Sequence, residues 1–220
     1  MTSENKGIAL GRHRERAEGF PVEFVVEEGD LVTVVHHELR GDGPDEYDFF
    51  GFHTYRFRDG EIAEEWSNDA VGSAPLGSGR PLLDRDPARL GEGTPSTNKL
   101  LVSDFYRCVF DAHNPGAVKE FVHEDYVQHS RHLPPGRAGL EALVAGSFPD
   151  GPIPTPEEPS IPPSILMGEG DLVVIAAALP QPGGEGGTYL RYLYDAYRVR
   201  GGCLCEHWSG VDPHNRPVMP

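Results

Sequence analysis

One short string recurs along this chain, and no other feature limits its fold as strongly. Glu28-Gly29-Asp30-Leu31-Val32 returns as Glu169-Gly170-Asp171-Leu172-Val173, at an offset of 141. Further on, Tyr55–Ser67 returns as Tyr197–Ser209, at an offset of 142. Tyr55-Arg56, Glu64 and Trp66-Ser67 are answered there by Tyr197-Arg198, Glu206 and Trp208-Ser209. Two ordered matches separated by a single-residue indel mark an internal repeat, so one supersecondary plan has to be built twice.

The segments between these matches punctuate the chain. Val71–Thr97 has nine Gly or Pro among 27 residues and keeps no apolar period, which reads as a linker. Leu133–Pro163 is proline-rich around one short helix at Gly139–Ala145, and Pro180–Gly187 reads as a long hairpin loop. With 27 Gly and 21 Pro in 220 residues, the chain approaches low-complexity composition. Most of that excess sits in these three stretches, leaving two strand-rich blocks of ordinary apolar content.

Each block reads as antiparallel hairpins. Val22–Val26 and Leu31–Glu38 flank a Gly-Asp turn, and Tyr47–Phe57 and Glu61–Trp66 flank Asp59-Gly60, a strong hairpin signal. The second block repeats this with Ser164–Leu166, Asp171–Leu179, Thr188–Val199 and Cys203–Trp208. Ahead of it, Leu101, Phe105, Cys108 and Val109 recur at helical spacing over Asn98–Ala112, and Pro115 starts a second short helix at Gly116–Val122. The first block has only Met1–Gly19 in front, enough for one helix. Gly11-Arg12 is similar to Gly136-Arg137, so the first copy is expected to lack the two leading helices. The expected organisation is residues 1–70 as a partial domain, 71–97 as a linker and 98–220 as a complete domain.

Charge and cysteine content exclude several classes. The chain carries 19 Lys plus Arg against 35 Asp plus Glu, a net charge of −16, without a cationic cluster. That disfavours nucleic acid and anionic membranes as partners. Leu172–Leu179 and Leu31–Val35 are far too short to span a bilayer. Met1–Glu15 is too polar for a signal peptide, and three cysteines make no disulfide framework. A cytoplasmic protein is expected, and the scarcity of Lys among the basic residues points to a GC-rich bacterial genome.

Helix, short helix, then curved antiparallel sheet is the order of the nuclear transport factor 2-like cone, an α+β fold. Within it, four stretches resemble the SnoaL-like group, named for a polyketide cyclase. They are Asn98-Lys99 to Phe110 with the Asn114-Pro115 that follows, Tyr126-Val127-Gln128-His129, Gly168–Val174, and Asp195-Ala196-Tyr197-Arg198 through Glu206-His207-Trp208. The likeness covers all of the second copy and the strand half of the first. It implies a small-molecule pocket inside the cone, acid/base chemistry without metal or cofactor, and cones that pair through their sheets. The two copies would then form a pseudo-dimer within the chain, with a homo-oligomer also compatible. The family's acid/base Asp corresponds to Asp195. The His expected on the preceding strand is replaced by Ala176-Ala177-Ala178, whereas the first copy has His36-His37 there and His53 at the position of Asp195. Neither copy holds the full pair.

Asp195 is the expected acid/base residue, pointing inward with Leu193 and Tyr197, the alternative being an outer-face partner of Arg191 or Arg198. His129 assists it at the pocket mouth or else bonds to backbone. Gln128 orients a carbonyl or faces solvent, and Tyr126, Tyr197, Glu206 and Trp208 line the substrate. Glu206 and Glu64 alternate with apolar residues, which suits a pocket acid or half of a structural Arg pair. Cys203, Cys205 and His207 face one way on a strand, but alternate positions ~6.5 Å apart are wide for a shared ion. No metal is expected. His36 and His37 point to opposite faces, so at most one of them joins His53. Two functional readings stay open: an acid/base lyase or isomerase on an apolar carbonyl compound, and a non-catalytic ligand-binding or dimerisation scaffold.

Overall fold

The structure, a computed structural model, describes residues 3–68, 94–183 and 187–219. The N-terminal half comprises α1 (Glu4–Arg16), β1 (Val22–Glu28), β2 (Leu31–Arg40), β3 (Tyr47–Arg58) and β4 (Glu61–Ser67). The C-terminal half comprises α2 (Thr94–Phe105), α3 (Val118–Phe121), β5 (Val122–Gln128), α4 (Gly136–Ser147), β6 (Ile165–Glu169), β7 (Leu172–Pro182), β8 (Thr188–Arg200) and β9 (Cys203–Ser209). Together they form an α+β architecture of two sheets, β1-β2-β3-β4 and β5-β9-β8-β7-β6. Most of the expected linker lies outside the described residues, and Thr94–Thr97 opens α2 instead. β7 and β8 pair out to Pro182 and Thr188, further into the expected loop than its composition suggested.

The strand hairpins follow the turn chemistry. Asp59 and Gly60 both have positive φ, 52° and 80°, as a two-residue hairpin turn twisted like its strands requires. The two sheets also agree in detail. Leu31 pairs with Arg56 as Leu172 pairs with Arg198, and the last hairpin of each sheet carries a bulge at the matching point, between Arg56 and Phe57 or between Arg198 and Val199.

Period-2 alternation gives each sheet two apolar faces. One face of each contributes to a shared cluster that includes Phe52, Trp66, Tyr194 and Trp208, so the sheets bury each other. Each fully buried side chain of this kind contributes on the order of 1.5–3 kcal/mol. The contacts are reciprocal. Glu28 accepts the Gly168 N–H at 2.9 Å and Glu169 accepts the Glu27 N–H at 2.7 Å. Phe52 stacks on Tyr194, with centroids 5.2 Å apart.

The other face of each sheet is covered by helices. In the C-terminal half, Val102, Phe105 and Val109 pack on Val173, Tyr197 and Leu204. In the N-terminal half, Ala9 of α1 packs on Val32, Val34 and Tyr55. Here the structure departs from the expected place of α1. α1 lies on β2 and β3, as α2 lies on β6 and β7, whereas α4 lies on β5. Lys6 of α1 binds Glu169, and Lys99 of α2 binds Glu28. In docking on antiparallel hairpin strands and in its Asn-Lys pair, Asn5-Lys6 beside Asn98-Lys99, α1 is similar to α2 and not to α4. Gly11 sits inside α1, whereas Gly136 begins α4, so the Gly-Arg likeness was misleading.

β5 was not anticipated. It is an edge strand that pairs parallel to β9 at only three positions, and its polar, half-exposed residues carry little period-2 signal.

Candidate functional site

The concave face of the C-terminal sheet centres on Asp195 of β8. Its neighbours Tyr194 and Ala196 point into the inter-sheet core, so alternation turns Asp195 with Tyr197 toward the helices. The carboxylate is 15% exposed and both of its oxygens are engaged. His207 Nε2 lies 3.0 Å from Oδ1, and the Tyr106 hydroxyl donates to Oδ2 at 2.8 Å. The Tyr197 hydroxyl lies 2.9 Å from that of Tyr106 and donates to it, since the Tyr106 proton is committed to Asp195. The helix widens to i→i+5 spacing over Tyr106–Asp111, starting at the residue that reaches Asp195. Such local expansions recur at functional sites.

His207 is oriented from behind. The Ser130 N–H donates to Gln128 Oε1 at 3.0 Å, which fixes the side-chain amide, so Gln128 Nε2 donates to His207 Nδ1 at 2.7 Å. Nδ1 therefore accepts, and Nε2 carries the proton given to Asp195. Tyr197 stacks on the same imidazole at 4.7 Å, and Tyr126 lies parallel to it at 6.5 Å. Burial, and then the Asp195 charge, hold the Tyr106 and Tyr126 hydroxyls well above the usual tyrosine range. Burial also raises Tyr197, followed by Tyr106 and Asp195. All three stay O–H donors at physiological pH.

The structure redistributes several expected roles. Asp195, Tyr197, Tyr126 and Gln128 meet in this cluster, with Gln128 holding His207 and not a carbonyl. His129 is not brought to Asp195. Its Nε2 lies 2.9 Å from Glu206 Oε2 and its ring stacks on Trp208 at 4.3 Å. Glu206 also faces Arg198 Nε at 2.9 Å, the structural pair that its alternation allowed. Trp208 is buried in the inter-sheet core, its Nε1 donating to Glu23 at 3.2 Å, and does not line the cone. The cause is the bulge. Val199 pairs with Leu204 and Arg198 with Glu206, so Cys205 is the extra residue and strict alternation fails there. Leu204 and His207 both reach the cone, and Leu204 no longer shares a face with Glu206 and Trp208. The same bulge separates Cys205, whose Sγ donates to the Arg198 carbonyl, from His207.

Sequence reasoning missed Tyr106, and it weighed His207 only as a metal ligand. Tyr106 lies within the helix-period pattern but points at a strand 89 residues away. The Glu-His-Trp likeness was the available signal for His207.

Comparison with family descriptions matches residues 102–207 to the SnoaL-like domain. Residues 102–207 belong to the SnoaL-like family. The match spans every residue of the Asp195 cluster. Among solved structures the chain is similar to TsrD from Streptomyces laurentii, at 19% identity over 53% of this chain and 89% of that one, TM-score 0.36. It is also similar to IdmH from Streptomyces antibioticus, provisionally named a polyketide cyclase, at 19% identity over 53% and 90%, TM-score 0.32. Comparison with curated proteins found no match. Among the described residues, no helix is long and apolar enough to cross a membrane.

Proposed function

We propose that the SnoaL-like cone binds a small, largely apolar carbonyl compound and moves a proton on it, with Asp195 as the base. One observation carries this reading: a carboxylate still open to solvent sits on the buried aromatic face of the cone, backed by an oriented imidazole. Asp195 would take a proton alpha to a carbonyl, and the Tyr106 hydroxyl, released as Asp195 loses its charge, would turn to donate to the oxygen that gains charge. His207, held by Gln128, is a positioning residue that keeps the carboxylate aimed. Aldol-type cyclisation, isomerisation and lyase reactions share this step. The same family resemblance supports action without a cofactor in this cone.

The experiment follows alpha-proton exchange of a panel of 1,3-diketones in D2O by NMR. The wild-type protein is expected to accelerate exchange of at least one panel member, and Asp195→Asn to lose about 10²–10⁴-fold of it. Equal rates in the two proteins would remove the catalytic role.

A second reading has its own support. Both Asp195 oxygens are bonded within the protein, which suits a structural network in a binding module. That reading predicts a lower melting temperature for Asp195→Asn with no exchange activity in either protein.

We further infer that the two halves are copies of one unit, joined as a pseudo-dimer within the chain. The reciprocal Glu28 and Glu169 contacts, the Phe52–Tyr194 stack and the matching bulges support this, because residue i touching j while j's counterpart touches i's is the mark of an isologous interface. The boundaries at 1–70 and 98–220, and a cytoplasmic setting, are part of the same reading.

A further inference from the structure

The N-terminal cone face has a polar centre of a different kind. His13 of α1, His36 of β2 and His53 of β3 converge there, 1%, 2% and 6% exposed. One ring nitrogen from each lies within 4.8 Å of the others. Ring centroids are 4.9 Å apart for His13–His36, 5.2 Å for His13–His53 and 5.4 Å for His36–His53. Three imidazoles drawn from three elements into an apolar face carry a desolvation cost that aliphatic residues would avoid.

Two further observations point to a ligand. Position 51 of β3 is glycine, and a Cβ there would run into the His36 imidazole, so the backbone makes room for that ring. The cluster also occupies the place that the proton-transfer cluster holds in the other cone. By the helix and strand correspondences above, His13 stands where Tyr106 stands and His53 where Asp195 stands, while His36 answers Ala177. Three changes, each to imidazole, replace a tyrosine–carboxylate pair with a set of nitrogen donors. Phe20, itself 40% exposed, stacks on His36 at 5.6 Å, so His36 lies directly beneath a solvent-facing ring.

We propose that His13, His36 and His53 form a three-histidine site for a divalent first-row transition ion, with a fourth position left for water or a small anion. Imidazole sets suit zinc, copper, iron and nickel. An ion with metal–nitrogen bonds of about 2.0–2.1 Å sets its nitrogens ~3.3 Å apart in a tetrahedron, so side-chain shifts of about an ångström close the observed spacing. Sequence alone leads to no metal here, because His13 stands on a separate helix that only the tertiary structure lays across β2 and β3. This site stands independently of the acid/base reading.

Tag-free protein, stripped with a chelator and dialysed, is titrated with Co²⁺. Intense visible bands saturating at one equivalent, and their loss on adding Zn²⁺, are expected. X-ray absorption of the zinc-loaded protein is expected to show three imidazoles, and zinc to raise the melting temperature. His53→Ala and His36→Ala are expected to lose the bands and the shift, while His123→Ala, on exposed β5, keeps both. Substoichiometric binding, or a zinc shell with fewer than two imidazoles, would overturn the proposal. So would unchanged binding in a natively folded His13→Ala/His53→Ala variant. Should the variants fail to fold, the wild-type stoichiometry and imidazole count decide.

Discussion

Asp48 shows how a single charge serves the junction of the halves. Its carboxylate is nearly buried on β3, 2.7 Å from Arg131 Nε beyond β5 and 2.7 Å from His37 Nε2. Burial alone would raise its pKa, but the hydrogen bonds from Arg131 and His37 and the Arg131 charge outweigh it and hold it low. A depressed carboxylate stabilises the fold above its unfolded pKa of ~3.9, and the contribution disappears as pH falls through the folded value. Asp48→Asn should therefore cost about 1–3 kcal/mol in urea unfolding at pH 7, with the gap to wild type closing toward pH 3. A gap that stays constant with pH would remove Asp48 from this role. None of this is visible in the string Glu46-Tyr47-Asp48, because Arg131 lies 83 positions away.

At the scale of the element, the bulges and glycines decide where side chains go. β3 is buried along most of its length, and Gly51 is the point where it yields space to a ring from β2. Gly51→Ala is expected to force His36 aside and to destabilise by about 1–3 kcal/mol through overpacking, measured by urea denaturation. An unchanged midpoint would show that the ring shifts freely. Strand positions, hairpin turns and the amphipathic α2 were legible from alternation, from Asp59-Gly60 and from the Leu101–Val109 spacing. The bulges, with Ala63 left over opposite Arg56–Phe57 and Cys205 opposite Arg198–Val199, were not, since an inserted residue leaves composition unchanged while shifting every face beyond it. The roles expected of Glu206 and Trp208 failed for that reason, and His207 was grouped with Cys203 and Cys205 for the same one.

The molecule as a whole is held by the face the sheets share. Tyr192, Tyr194 and Trp208 are buried there against Phe52 and Trp66. Asn68 adds a polar stitch, accepting the Phe52 N–H at 2.8 Å and donating to the Gly210 carbonyl at 2.8 Å. A fragment of residues 98–220 would expose this apolar face, and patches of that kind associate. It is expected to run as a dimer or larger species in light scattering, and the full chain to melt in one cooperative transition. A monomeric, folded fragment would show that the shared face is dispensable.

By itself the sequence determined the hairpins, the α+β class and the likeness of its two halves, because alternation, turn residues and local strings are properties of neighbouring positions. It also singled out Asp195. Only the tertiary structure decided what stands beside it. Tyr106 meets Asp195 across 89 positions of chain, Gln128 meets His207 across 79, and His13 of α1 meets His36 and His53 of the sheet. Which of many polar side chains converge depends on how helices cross a twisted sheet, and no local period encodes that.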